Sequence, residues 1–312
     1  MTAFTNTHGD RRQPLRIIDA LAKDLLSQDV QALTTADCLM VIGDYAVYCA
    51  AAAKLPAVLR EIGRLREWAF RGVGEGTGKA LDLDHYDPHY QHLFVWSHSK
   101  QEVLGAYRIA FTEDVVGQHG VDALYTHSLF DFEAALFDRL GPSMEMGRSF
   151  VHPQWQGNTR VLRLLWAGIS ILLDRHPAVR HLFGPVSISP QFSDVGRFLI
   201  MTALQLHHMD ADLKSLVRPR HVLSHANFAA EQRLTDISAG LSDPSRLSRF
   251  LQRLERGMKL PMLIKHYIEL KGRFAGFSVD KGFNGTLDGL VFVRVQDISP
   301  KMRLRLTATP GA

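Results

Sequence analysis

The chain has 312 residues, 46% hydrophobic and 22% charged, with a net charge of +4 at pH 7 and two cysteines, Cys38 and Cys49. These values fit one large or two small soluble domains and exclude a disulfide framework, a cysteine-rich zinc site and a low-complexity chain. The mild basic excess suits an acidic partner such as nucleic acid, anionic lipid or an acidic carrier protein, or is no more than a solvated surface.

The opening MTAFTNTHGDRRQP is polar and lacks the apolar stretch of a signal peptide. Residues 14–27 have helical apolar spacing and predict an N-terminal arm. The apolar runs 38–55 and 161–173 are interrupted by Asp44 and Arg163, so neither is expected to span a membrane. Residues 45–51 read as a strand, and Pro56 opens a helix, PAVLREIGRLREWAF. The glycine-rich GVGEGTGKA follows. It lacks the first glycine and the hydroxyl residue of a Walker loop, so a flexible loop with glycines at positive φ is expected, able to fold over a substrate.

HLFVWSH and EVLGAYRIAF then predict a hairpin. MEMGRSFVHPQWQG (144–157) reads as a strand running into a turn and a helix. An apolar helix follows over 160–175, a buried strand over 181–189 and a helix over 191–207. Residues 210–258 are polar and helical, Pro261 restarts a helix, and GRFAGFSVD and LDGLVFVRVQDIS read as closing strands. The pattern predicts a mixed α/β (α+β) chain with mainly antiparallel connections. It divides into an N-terminal helical arm (1–43), a single domain (44–300) with a helical insertion at about 210–270, and a tail (301–312).

Several charges fall on elements that otherwise look buried. Arg66 and Phe70 share one face of a helix. Asp82, Asp84 and Asp87 precede a strand, where carboxylates hold a cationic amine or simply face solvent. Arg108 lies inside an apolar strand. Glu145 and Arg148 stand three apart on another. Strict alternation puts these two on opposite faces, and a bulge near Gly147 would bring them to one side. Buried charges need partners, and a cluster of them marks a candidate site. Ser149 does not sit in a nucleophile elbow, because Gly-Arg-Ser-Phe-Val lacks the second glycine. His85, His89 and His92 match no metal-ligand spacing, so no metal is expected.

REWAF, DHYD, GAYR and EMGR follow in order the pattern Arg-x3-Phe, Asp-x2-Asp, Gly-x-Tyr-Arg and Glu-x2-Arg. This resembles the acyl-homoserine-lactone synthases, the N-acyl amino acid synthases and the ornithine-lipid N-acyltransferases of the GNAT superfamily. The longer stretches REIGRLREWAFRGVGEGTG, MGRSFVHPQWQ, LFGPVSIS, LPMLIKHYIELKGRFAGFSVDKGF and LDGL resemble the bacterial hemolysin-like N-acyltransferases, which include ornithine- and glycine-lipid synthases. The resemblance covers about residues 45–299.

It implies a GNAT-like, mainly antiparallel twisted sheet flanked by helices. The implied reaction moves a fatty (3-hydroxy)acyl group from an acyl carrier protein thioester to the α-amine of an amino acid, ornithine ahead of glycine, giving a lyso-aminolipid. Glu145 is then expected as general base with Arg148 beside it. Arg66, Phe70, Asp84, Asp87 and Arg108 are expected to bind the amino acid, and Ser149, Phe150, Val151, Gln156, Gly157 and Arg160 the acyl-phosphopantetheine arm. The GNAT pyrophosphate loop, Gln/Arg-x-x-Gly-x-Gly/Ala, is altered here at Thr159, with Arg160 and Arg163 following. That favours a carrier-borne phosphopantetheine over acetyl-CoA. No bound cofactor and no nucleic-acid partner are expected. A cytoplasmic location is implied, with peripheral contact at the inner membrane. The alternatives are a synthase of N-acyl amino acid or acyl-homoserine-lactone signals, and a non-enzymatic protein that binds membrane surfaces.

Overall fold

A computed structural model describes residues 13–157, 159–223 and 228–299. The expected tail lies outside the described residues, as does most of the polar N-terminal segment. Residues 13–22 carry no helix, against the expectation for 14–27. Leu15 N–H donates to Gly78 O (2.8 Å) and Ile18 N–H to Ala80 O (3.1 Å). Those bonds satisfy the backbone without a helix. The first helix is therefore α1 (Lys23–Ala32). The sheet begins soon after it, with β1 (Cys38–Ile42) and β2 (Tyr45–Ala51), and β1 falls within the stretch 1–43 expected as a helical arm.

In chain order there follow α2 (Pro56–Gly72), the hairpin β3 (Gln91–Ser97) and β4 (Glu102–Phe111), α3 (Thr112–His119), β5 (Phe130–Phe132), α4 (Ala135–Leu140) and β6 (Ser143–Val151). Next come α5 (Thr159–Arg175), β7 (His181–Ile188), α6 (Asp194–His208), β8 (Val217–Pro219), α7 (Phe228–Ala239), α8 (Pro244–Leu254), α9 (Met262–Glu269), β9 (Arg273–Asp280) and β10 (Thr286–Arg294). The main sheet has eight strands in the order β1-β2-β3-β4-β6-β7-β10-β9. Every neighbouring pair is antiparallel except β6 and β7. These two need a crossover, which α5 supplies.

Alternation along the strands divides the core. Val58, Ile62 and Leu65 of α2 pack on Phe94, Trp96 and Ala106 on one face. Val161, Leu165 and Ile169 of α5 pack on Val47, Leu93 and Ile109 on the other. Leu247 and Leu251 of α8 and Ile264 and Tyr267 of α9 belong to that second core. The stretch around 210–270 is thus built into the body of the fold. Ser193 fastens this stretch to α6: its Oγ accepts from Gly196 N–H (3.1 Å), capping α6, and donates to buried Glu255 (2.5 Å) at the end of α8. Such a cap contributes about 1 kcal/mol.

Two irregularities in β6 position everything that follows. First, β6 pairs with β7 only at Ser143–His181, Met144–Leu182 and Glu145–Phe183. Beyond Glu145 the strands part and leave a wedge between them. At its apex Gly184 meets the Met146 carbonyl so closely that a Cβ would collide with the oxygen. Pro185 stands just past that point, where β7 has no β6 partner and a missing N–H is tolerated. Second, Phe150 pairs with Ala106 and Gly147 with Arg108, so Arg148 and Ser149 together oppose Tyr107. This is a β-bulge, and Arg148 itself takes the left-handed conformation, with φ of 49°. The bulge sits one residue beyond Gly147, and the strained residue is an arginine. A non-glycine residue held there costs on the order of 1–3 kcal/mol, the kind of strain that collects at functional sites.

Candidate active site

The charges singled out in the sequence gather beneath the wedge. Arg66 projects from α2 into the interior, wholly buried. Its NH1 donates to Asp87 Oδ1 (2.7 Å), and its NH2 lies 3.4 Å from His92 Nδ1. Burial, then the Arg66 charge, push the His92 pKa down to about 3, so this histidine is a neutral acceptor for Arg66. Arg108 NH1 donates to Asp84 Oδ1 (2.6 Å) and lies 3.4 Å from Asp87. The rings of Tyr90 and Tyr125 stand 5.0 Å from its guanidinium. Burial raises the Asp84 and Asp87 carboxyls, but Arg108 on the first and Arg66 with Arg108 on the second outweigh it. Both end below the usual carboxylate range.

Arg148 completes the network from the bulge. Its Nε lies 3.1 Å from Asp82 Oδ2, and its NH1 donates to Tyr125 Oη (3.1 Å). Its guanidinium is sandwiched between Tyr125 (4.6 Å) and Phe283 (4.4 Å). Tyr125 Oη in turn donates to Asp280 (2.5 Å). Three arginines thus face three aspartates; desolvation offsets much of the attraction in a buried network of this kind, while removing one member leaves an uncompensated charge.

Glu145 lies on the same side, through the bulge. It is 1% exposed and accepts from Thr126 N–H (2.7 Å) and from the Tyr90 hydroxyl. Burial raises its pKa, although those donors oppose the shift. Tyr90 Oη also accepts from Tyr125 N–H (2.8 Å). Glu145 therefore fixes the segment that carries Tyr125.

The wedge opens into a cavity of about 490 Å³. Of the residues expected at the site, Phe70, Arg148, Ser149, Phe150, Val151 and Gln156 line it. Glu145, Arg66, Asp84, Asp87 and Arg108 do not; they stand behind Arg148 as its support. Gly157 and Arg160 are also outside the lining, and the Arg160 guanidinium lies 4.6 Å from the Tyr45 ring. One part of the wall is apolar, with Phe192, Met258, Met262, Leu263 and Tyr267. The other is polar, with Arg148, Tyr125, Ser187 and two carboxylates that sequence reasoning missed, Glu75 and Asp288.

These two carboxylates have the electrostatics of acid–base groups. Burial, then the charge of Asp288, push the Glu75 pKa up to about 8, against Arg148. Burial, then the charge of Asp280, push Asp288 up to about 7. Asp288 is held by Ser187 Oγ (2.7 Å) and Thr286 Oγ1 (3.2 Å), both donating. No protein hydrogen bond reaches the Glu75 carboxylate among the described residues. Arg148 does not offset the burial and mutual repulsion of these two carboxyls, and a ligand ammonium would add the missing positive charge. Asp288 carried the same signal as Arg108, one charge inside an apolar strand. Glu75 lies inside the glycine-rich GVGEGTGKA, where no apolar periodicity marks a charge as buried.

That loop is also firmer than expected. Gly74, Gly76 and Gly78 take positive φ, as anticipated. The fully buried Glu67, however, accepts from Thr77 N–H (3.0 Å), Thr77 Oγ1 (2.8 Å), Gly78 N–H (2.8 Å) and Arg71 Nε (2.8 Å). Ser189 Oγ donates to Val73 O (2.5 Å) and Asn284 Nδ2 to Gly74 O (2.7 Å). Glu75 is presented from a pinned turn.

Residues 65–167 match the family described as the acetyltransferase (GNAT) domain. The glycine N(alpha)-acyltransferase of Phocaeicola vulgatus is 33% identical over 264 residues, covering 80% of this chain and 80% of that protein. The L-ornithine N(alpha)-acyltransferase of Rhodobacter capsulatus is 30% identical, covering 78% of this chain and 89% of that protein. Among solved structures, the CoA-dependent acyl-homoserine lactone synthase BjaI with SAM and isopentyl-CoA is 12% identical, covering 85% and 90% of the two chains with a TM-score of 0.39.

Proposed function

Since the chain belongs to the amino-acid N(alpha)-acyltransferases of the GNAT type, we propose that it transfers a fatty (3-hydroxy)acyl group from acyl carrier protein to the α-amine of ornithine, giving a lyso-aminolipid. The observation that carries this reading is the pair Glu75 and Asp288 facing Arg148 in one cavity. Asp288, fixed by two hydroxyls and with a pKa near neutrality, is the general base that takes the proton of the α-ammonium. Arg148 pairs with the amino acid's carboxylate. Glu75 is the counter-ion for the side-chain ammonium of ornithine. Glycine is the second reading. It has no such ammonium, and it is favoured by the name of the Phocaeicola vulgatus relative.

In the reaction the neutral amine attacks the thioester carbonyl, a C–N bond forms and the C–S bond breaks. The proton held by Asp288 passes to the departing thiolate, and Asp288, ionised again, takes the second nitrogen proton that the forming amide must shed and releases it to solvent. Backbone N–H groups at the Arg148–Ser149 bulge are the donors assigned to the developing oxyanion. Phe150, Val151 and Gln156 flank the phosphopantetheine arm, while Met258, Leu263 and Tyr267 flank the acyl chain. Glu145 is assigned a positioning role, because it bonds the Tyr125–Thr126 segment and lies outside the cavity lining.

The test is mass spectrometry of products from acyl carrier protein thioesters offered with a panel of amino acids. N-acylornithine as the main product supports the reading, and N-acylglycine moves it to the second. No amide with any amino acid overturns it. Equal turnover with acyl-CoA removes the donor assignment.

A further inference from the structure

Helix α8, PSRLSRFLQRL, is sharply two-faced. Leu247 and Leu251 are buried in the core. Phe250 and Leu254, four residues apart at one edge of that buried stripe, remain 37% and 44% exposed. Arg246, Arg249 and Arg253 continue round the helix into solvent, and the turn after it adds exposed Arg256 and Lys259. None of these five cations has an ion-pair partner among the described residues. The single acid between residues 244 and 265 is Glu255, which is buried on Ser193. Leu260 N–H donates to Ser248 Oγ (3.3 Å), tying the start of α9 to α8. There Met262 is 60% exposed and also lines the cavity, next to Pro261 and Leu263.

We propose that the α8–α9 face docks on an anionic lipid surface, so that the acylated product leaves the apolar wall of the cavity directly into the bilayer. Five unpaired cations supply attraction to anionic headgroups, which reaches about a Debye length. Phe250, Leu254 and Met262 supply the apolar edge that enters the interface, as in interfacial amphipathic helices. Among the described residues no helix is long and apolar enough to cross a membrane. A soluble acidic protein would find the cations equally attractive. Met262, exposed and at the same time part of the cavity wall, favours lipid, because a long-chain amide leaving that wall would otherwise enter water.

The purpose of this face rests on the N-acylation reading, but its primary readout, vesicle binding, needs no turnover. The intact protein is sedimented with vesicles of phosphatidylethanolamine and phosphatidylglycerol, and with vesicles of phosphatidylcholine alone. Binding should favour the anionic vesicles and weaken with added salt. Each arginine removed from the set Arg246→Gln, Arg249→Gln and Arg253→Gln should cut partitioning about fivefold. Phe250→Ser with Leu254→Ser should lower it further, while turnover of a short-chain acyl donor stays at the parent level and reports an intact fold. Absence of binding to anionic vesicles, or binding that none of these changes moves, overturns the proposal. A rise in KM for acyl carrier protein with vesicle binding unmoved assigns the face to the carrier and overturns it equally.

Discussion

Arg148 donates to the Tyr125 hydroxyl across 3.1 Å while that hydroxyl donates to Asp280. The guanidinium, carried by a left-handed bulge residue, lies over the rings of both Tyr125 and Phe283. Lysine cannot reproduce a planar, forked contact of this kind. Arg148→Lys is expected to stay folded by circular dichroism and to lose about 100-fold in kcat/KM for the amino acid, roughly 2.7 kcal/mol, mostly through KM.

Asp288→Asn should lower kcat by about 10²–10⁴-fold, the usual contribution of a positioned base. In the parent enzyme kcat/KM should climb as pH rises through about 7, where Asp288 loses its proton, and again through about 8, where the counter-ion Glu75 ionises. The limb near 7 should vanish in the variant while the one near 8 stays. A retained limb near 7 assigns the base elsewhere.

The same two carboxyls make stability depend on pH. A carboxyl with a raised folded pKa takes up protons on folding. Its share of stability is greatest at low pH and is lost as pH climbs from the unfolded value near 4 through the folded one. Without ligand, Glu75 and Asp288 should therefore lower the melting temperature between about pH 4 and 8. Glu75→Gln should flatten that decline and raise stability at pH 8 by about 1–2 kcal/mol.

Glu145→Gln separates positioning from base catalysis. Glutamine keeps an oxygen for Thr126 N–H, so a positioning role predicts a loss of about tenfold or less with the pH limb near 7 unchanged. Loss of that limb in this variant, measured on kcat/KM, would return Glu145 to the chemistry.

Arg66 is a test of the support beneath the site. Removing one partner of a buried pair leaves the other charge uncompensated, so Arg66→Ala should cost about 3–5 kcal/mol in denaturant unfolding. Gly184→Ala should cost about 1–3 kcal/mol by overpacking, because the added methyl meets the Met146 carbonyl at the wedge apex.

Most elements were legible because their apolar spacing is regular. The hairpin of β3 and β4, the amphipathic α2 and the apolar α5 all follow their periods. The first helix was misplaced because residues 13–22 spend their backbone bonds on Gly78 and Ala80, a pairing no local pattern announces. The site was half legible. Arg66, Asp84, Asp87, Arg108, Glu145 and Arg148 do converge, but only Arg148 of these reaches the cavity. Which buried charge faces the ligand and which stands behind it depends on a bulge of one residue, and spacing could place that only approximately. Glu75 and Asp288 lie more than two hundred residues apart, so their meeting was visible only in the fold.

The four hydrogen bonds that Glu67 accepts have a consequence for affinity. A loop containing three glycines has the most conformational entropy to lose. Here that loss falls on folding, since the turn holding Glu75 is set by a buried carboxylate before any substrate arrives. Binding of the amino acid is therefore spared the ordering cost a mobile loop would impose, and less of its contact energy is spent on ordering the protein.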